Sequence, residues 1–258
     1  MTGLDLKGQR VLLTGGLGAL GWQAAETLTA GGARVVINDV VAEVTVQRDL
    51  EAVAGYVEGD AAHEGHAEAI LHEATRLFGA LPTVVCLHAG IVTSSPILEY
   101  SLEQVEEVWR ANTLAAFALA QVACRAWIDA GQQGNLVFTT SWVQDIPWPG
   151  IAAYSASKAA MKSIARSFAR ELAGQGIRAN LIAPGIVGAG MALHQWETEP
   201  DYRARARKAV PLGHLQTPQS FAEALAFLVS DSSAYMTGAT LLVDGGASLY
   251  PMDEEDHQ

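Results

Sequence analysis

Short aliphatic and β-branched runs recur along this chain, separated by longer stretches in which apolar residues return every three or four positions. Arg10-Val11-Leu12-Leu13-Thr14 is the first run; it stops at a glycine-rich turn, and Trp22, Ala25 and Leu28 then carry a helical pattern to Gly31-Gly32. Ala33 to Asn38 is the second, ending in Asp39, followed by a polar stretch, Tyr56-Val57, Asp60 and a helical segment to Phe78. Pro82 to Leu87 is a further apolar run, closed by His88-Ala89-Gly90. Strands that are apolar throughout, alternating with helices of roughly 10 to 20 residues, predict an α/β fold with a doubly wound parallel sheet and helices on both faces.

The second half continues the alternation. Ser101-x-x-Gln104 has the form of a capping box opening a helix that leads into Asn112 and the long segment from Thr113 to Ala130. That segment is apolar nearly all round, which predicts burial on more than one side, either inside the domain or against another subunit, with the second favoured. Asn135 to Thr140 reads as a strand ending at Ser141, Tyr154 opens a helix to about Ala173, and Ile177 to Ala183 is the next strand. Residues 184–217 show no clean period; inside a compact domain such a stretch predicts a substrate lid. Ser220 to Val229 reads as a helix, Ala239 to Val243 as the last strand, and Asp253-Glu254-Glu255-Asp256 as part of a solvated, flexible tail over 251–258. With no repeat or linker, residues 1–258 are expected to form one domain.

Composition narrows the partners. Half of the residues are hydrophobic, 17% are charged and the formal net charge is -12. Such a surface repels phosphate backbones, so neither nucleic acid nor an anionic membrane is an expected partner. Cys86 and Cys124 stand in apolar runs about forty positions apart, the pattern of reduced core residues in a cytoplasmic protein and not of a metal pair or disulfide framework. No signal peptide or membrane span is expected, since Gln121 and Arg125 interrupt the most apolar segment. His63, His66 and His72 fall among acidic neighbours on a surface helix and are read as solvated; no metal is expected.

Three features carry chemistry. Thr14-Gly15-Gly16-Leu17-Gly18-Ala19-Leu20-Gly21 joins the first strand to the first helix, where glycine permits close backbone approach and the helix start offers free N–H groups to a pyrophosphate. Asp39, at the end of the second strand, is placed to accept hydrogen bonds from a ribose and to repel a 2′-phosphate, and Val40 and Val41 supply no cation; this favours NAD over NADP. Tyr154 and Lys158, four residues apart, project from one helix face, where the ammonium would favour the phenolate.

Together these motifs resemble the compact short-chain dehydrogenases/reductases, a Rossmann-type family, over about Leu6 to Tyr250. The glycine turn is similar to the family's T-G-x-x-x-G-x-G with Ala19 for the middle glycine, which implies cofactor contacts at Gly15, Gly18, Leu20 and Gly21. Asp60-Ala61 stands where the family meets adenine, and Leu87-His88-Ala89-Gly90 where it has N-N-A-G, so Ala89 and Gly90 are carried over and the sheet-end contacts must be rebuilt around His88. Pro184-Gly185 matches the start of the nicotinamide-side loop; Ala189 replaces a threonine that commonly bonds the carboxamide, leaving backbone such as Val187 for that bond. The resemblance implies that Ser141 holds the reacting oxygen and Tyr154 exchanges its proton. It implies further that Lys158 tunes Tyr154 and binds the ribose, and that Asn112 holds a relay water. The function implied is NAD-dependent hydride transfer by a homo-oligomer, a tetramer for preference.

Ile146-Pro147-Trp148-Pro149 and the run Gly245 to Pro251 resemble the glucose 1-dehydrogenases of this family, which points to oxidation of an aldose at C1 to its lactone. Gln144, Trp148, His194, Gln195 and Trp196 are the expected sugar contacts. A secondary alcohol or ketone on a more hydrophobic substrate is the alternative, from the apolar character of Trp142, Ile146 and Trp196. A non-catalytic dinucleotide sensor is a remote third. Arg203, Arg205 and Arg207 alternate in the lid and are expected to be solvated.

Overall fold

The computed structural model describes residues 4–249; the acidic tail and the end of the glucose-dehydrogenase-like run, Tyr250-Pro251, lie outside them. Seven parallel strands form one sheet: β1 (Arg10–Thr14), β2 (Arg34–Asp39), β3 (Gly55–Glu58), β4 (Val84–Leu87), β5 (Gly134–Thr139), β6 (Ile177–Pro184) and β7 (Thr240–Val243). Their order is β3-β2-β1-β4-β5-β6-β7. The chain winds outward from β1 to β3, then returns to the other side at β4, so β1 and β4 flank the switch point where ligands of such sheets bind.

Both sheet faces are covered, and the period-2 pleat divides each apolar run between them. Leu12, Val36, Val85, Leu136 and Phe138 point to one side, against α2 (His66–Phe78), α4 (Ala115–Asp129) and α5 (Ala152–Leu172). Val11, Leu13, Val35, Ile37 and Cys86 point to the other, against α1 (Ala19–Ala30) and α8 (Pro218–Val229). Leu12 is in register with Val36 on one neighbour and Val85 on the other, which aligns the carboxyl ends of the central strands.

α3 (Leu102–Trp109) opens with the capping box: the Gln104 N–H donates to Ser101 Oγ at 3.2 Å, and the Ser101 N–H donates to Gln104 Oε1 at 3.0 Å. The continuation departs from expectation, because a π turn over Arg110–Leu114 separates α3 from α4. α4 buries Leu119, Ala120, Ala123 and Trp127 against its own sheet and leaves Phe117 and Ile128 about 40% exposed (40% and 41%). The segment 184–217 is also more regular than its sequence suggests. It holds α6 (Gly190–Thr198) and α7 (Pro200–Ala209), and a third apolar cluster beneath them contains Trp142, Ile186, Tyr202 and Val210. Among the described residues no helix is long and apolar enough to cross a membrane.

Candidate active site

At the carboxyl ends of β1, β2 and β4 lies a cleft of about 360 Å³ lined by Gly15, Asp39, Asp60, Ala61, Ala89 and Gly90. The turn before α1 is built for close approach: a Cβ on Gly21 would stand 2.2 Å from the Gly15 carbonyl oxygen. Gly18 caps α1 without a side-chain hydrogen bond, and no carboxylate occupies the first turn, so the N–H groups there remain available to an anion. Leu20 turns its side chain to the core, which leaves only its backbone for that role. Asp39 accepts from the N–H of Leu17 (3.1 Å) and of Val40 (2.8 Å), which orients its carboxylate at the cleft. Tyr56 donates its hydroxyl to the carbonyls of Asp39 and Val41, holding the end of β2. These features fit a dinucleotide. Arg110, which sequence reading did not single out, also lines the cleft, with Nη2 3.0 Å from His63 Nδ1. His63, His66 and His72 are exposed.

Gly90, on the lining of this cleft, also borders the group around Tyr154. Lys158 is 2% exposed; its Nζ donates to the Thr139 carbonyl at 2.9 Å and lies 5.5 Å from the centre of the Tyr154 ring. Gly90 leaves the space, since a Cβ there would approach Asn112 Oδ1 to 2.9 Å and Lys158 Nζ to 3.3 Å. Asn112, set by the π turn and wholly buried, is locked by its side chain: Oδ1 accepts the Ile91 N–H (2.7 Å), and Nδ2 donates to the Ile91 carbonyl (3.0 Å) and Ser157 Oγ (2.9 Å). Ser157 in turn donates to the Tyr154 carbonyl at 2.7 Å. Asn112 from the π turn, Ser141 from the end of β5, and Tyr154 and Lys158 from α5 thus converge from three elements.

Burial, not the neighbouring ammonium, dominates the acid–base state of this group. It pushes Tyr154 up to about 12, opposed by the hydrogen bond with Ser141, and pulls Lys158 down to about 8. The sequence expectation that Lys158 lowers the phenol is corrected here: removal of water outweighs the cation at this separation. His88 joins the same network. Its Nδ1 is 3.2 Å from Thr139 Oγ1, and burial followed by the Lys158 charge pushes the imidazole down to about 4. Thr14 Oγ1 accepts from the backbone N–H groups of both His88 (3.0 Å) and Ala89 (2.9 Å), pinning this segment to the end of β1.

Beyond Tyr154 a second cavity, of about 190 Å³, is lined by Ser94, Ser141, Trp142, Trp148, Tyr154, Val187, Gln195 and Arg205 among others. The Tyr100 hydroxyl donates to the carbonyls of Thr93 (2.6 Å) and Gly150 (3.0 Å), tying together two of its walls. Trp148 and Gln195 are therefore at the cavity as expected. Gln144, His194 and Trp196 are not among its described lining. Gln144 is buried with Oε1 unpartnered, His194 is on the exposed side of α6, and Trp196 packs on the third cluster beneath Arg207. Helical spacing explains the exchange, since Gln195 projects from α6 about 100° from each neighbour. Val187 bridges Gln216 in parallel: the Gln216 N–H donates to Ile186 O and the Gly188 N–H to Gln216 O. Val187's own N–H therefore faces the opposite side, while buried Pro184 ends β6 and Gly185 reaches the cavity.

A family model described as "Enoyl-(Acyl carrier protein) reductase" matches residues 16–248. The chain belongs to the short-chain dehydrogenase/reductase family. Relatives in this family include "3beta-hydroxysteroid dehydrogenase 1" of Eggerthella lenta, 35% identical over 96% of both chains. A "Glucose 1-dehydrogenase" of Gluconobacter oxydans is 31% identical over 94% of this chain and 93% of its own. Among solved structures, a gluconate 5-dehydrogenase from Burkholderia cenocepacia, in complex with NADP and tartrate, superposes with a TM-score of 0.84 at 25% identity, over 95% of this chain and 97% of that one. This short-chain dehydrogenase is accordingly an oxidoreductase acting on CH–OH groups.

Proposed function

We propose that the protein is an NAD-dependent sugar dehydrogenase that oxidises an aldose at C1 to its lactone. The observation that carries this reading is the cavity of about 190 Å³ beside Tyr154. It is smaller than the roughly 300–1,000 Å³ usual for drug-sized ligands and combines an aromatic wall, Trp142 and Trp148, with the polar groups Ser94, Ser141 and Gln195. A compact polyol fits that description, and the glucose 1-dehydrogenase relative supports it.

In this mechanism Ser141 donates to the substrate oxygen and Tyr154 Oη takes the hydroxyl proton. The chemistry that NAD would supply when bound is a hydride acceptor for the carbinol carbon. The Ser141 hydrogen bond, which opposes the rise of Tyr154, favours the phenolate, Lys158 binds ribose hydroxyls, and Asn112 holds the turn through which a water reaches Lys158. The first turn of α1, with Gly15, Gly18, Leu20 and Gly21, would receive the pyrophosphate. Asp39 would take the adenosine ribose, Asp60 and Ala61 the adenine, and Ala89 and Gly90 the middle of the cofactor. Pro184, Gly185 and the Val187 N–H would hold the carboxamide side, compensating for Ala189. The helices of 184–217 act as the lid. We also propose a cytoplasmic protein, consistent with two buried free thiols, that assembles as a tetramer.

The steroid dehydrogenase relative and the apolar residues Val92, Trp142, Ile151 and Ile186 on the cavity favour a second reading, a more hydrophobic secondary alcohol. NADH formation measured over aldoses, sugar acids and secondary alcohols separates the two. Tyr154→Phe is expected to lower turnover at least ~1,000-fold, about 4 kcal/mol, while NAD binding followed by fluorescence changes less than ~3-fold. Turnover near the wild-type rate in that variant overturns the mechanism.

A further inference from the structure

The three alternating arginines of α7 meet three different fates. Arg203 donates from Nε to the Trp196 carbonyl (2.6 Å) and from Nη2 to the Glu197 carbonyl (2.9 Å), closing the end of α6. Arg207 covers the Trp196 ring at 5.2 Å. Arg205 instead stands over the Trp148 ring at 4.9 Å, with the Tyr202 ring at 5.9 Å, and lines the cavity that also holds Ser141 and Tyr154. It is the one charged side chain on that cavity's described lining.

Nothing on the described protein neutralises it. The described ion pairs are His63–Asp60, Arg76–Glu73 and Lys162–Asp145; Asp201, one helical turn back on α7, makes none with Arg205. Stacking on an indole occupies the face of a guanidinium and leaves its N–H edges free, in the fork that matches a carboxylate, sulfonate or phosphate. The setting sharpens the point. In a chain of net charge -12, anionic small molecules are repelled at long range, so a cation kept at the cavity mouth acts as a local selector.

We propose that the substrate carries an oxyanion group, which Arg205 receives while the reacting carbinol lies at Ser141 and Tyr154. The placement of the carbinol rests on the function proposed above; the anion site rests on Arg205 alone. The two are tested separately. Quenching of tryptophan fluorescence is titrated with D-glucose, D-glucuronate, D-glucose 6-phosphate and a glucose bearing a sulfonate at C6, in the wild type and in Arg205→Gln. At least one anionic probe is expected to bind ~10-fold or more tightly than glucose in the wild type, and Arg205→Gln is expected to reduce that ratio at least ~10-fold. A wild type with no preference for any of the three anions overturns the inference. So does a ratio that survives in the variant, including a loss of affinity shared equally by charged and neutral sugars. Turnover of the same probes by wild type and Tyr154→Phe reports on the catalytic reading, so its failure is distinguishable from failure at Arg205.

Discussion

His88 shows how one residue ties the acid–base state of the site to the stability of the fold. Its imidazole is shielded among Thr139, Phe221 and the charge of Lys158, and its pKa falls from 6.5 to about 4. The unfolded chain therefore takes up a proton near pH 6.5 that the folded chain resists until about pH 4. Because the folded pKa is the lower one, the stabilising contribution is complete above pH 6.5 and is lost as the pH falls toward 4. Asparagine, the residue the family pattern has here, does not titrate. Comparing urea unfolding at pH 7.5 and 4.5, His88→Asn is expected to lose less stability than the wild type over that interval, by on the order of 2 kcal/mol. An equal loss in both proteins would show that His88 is not the titrating group. Lys158, pulled down by the same burial, keeps its charge at neutral pH and loses it through about pH 8, so the network around Tyr154 changes state on the alkaline side as well.

At the scale of elements, what could be read from the sequence is what obeys a single period. The strands, α1 with its glycine turn, and the capping box at Ser101 were legible because apolar alternation and cap chemistry are local. The π turn at Arg110–Leu114 was not: it has no side-chain signature, and its effect, bringing Asn112 under Ile91, depends on a partner far along the chain. α6 and α7 were hidden for another reason. Their tryptophans and arginines pair across elements, Arg205 on Trp148 and Arg207 on Trp196, so that each arginine shields apolar surface that a helical pattern would otherwise display. Gln195 and Arg205 accordingly reach the cavity while His194 and Trp196 do not. The carboxyl end of β2 was legible and carries the cofactor prediction. Asp39 is aimed by the Leu17 and Val40 N–H groups, and a 2′-phosphate placed beside it would meet a carboxylate. The ratio of kcat/KM for NAD over NADP is expected to exceed ~10, about 1.4 kcal/mol, and to fall at least ~10-fold in Asp39→Ala. Equal use of both cofactors by the wild type refutes the assignment.

For the whole molecule, the outward side of α4 and α5 is what one chain leaves unfinished. Phe117 and Ile128 on α4 and Ile164, Phe168 and Leu172 on α5 border an open groove of about 380 Å³, with the Phe117 and Phe168 rings 5.7 Å apart. The sequence expectation that this segment faces a subunit was only half a description, since its other side fills the sheet's own core. Phe117 and Ile128 stay about 40% exposed on that side, among Gln121, Arg125 and Glu171, and in a two-fold dimer a second copy of the chain would present the same groove to it. Phe117 is 40% exposed, so removing its remaining surface from water is worth roughly 0.6–1.2 kcal/mol, and a two-fold contact counts it twice. A glutamate at that position adds the cost of bringing two like charges together. Sedimentation at micromolar concentration is therefore expected to show an oligomer for the wild type and a shift of its dissociation constant by ~100-fold or more in Phe117→Glu, with urea unfolding measured alongside to separate dissociation from misfolding. A monomeric wild type, or a variant that assembles as the wild type does, would remove α4 and α5 from the interface.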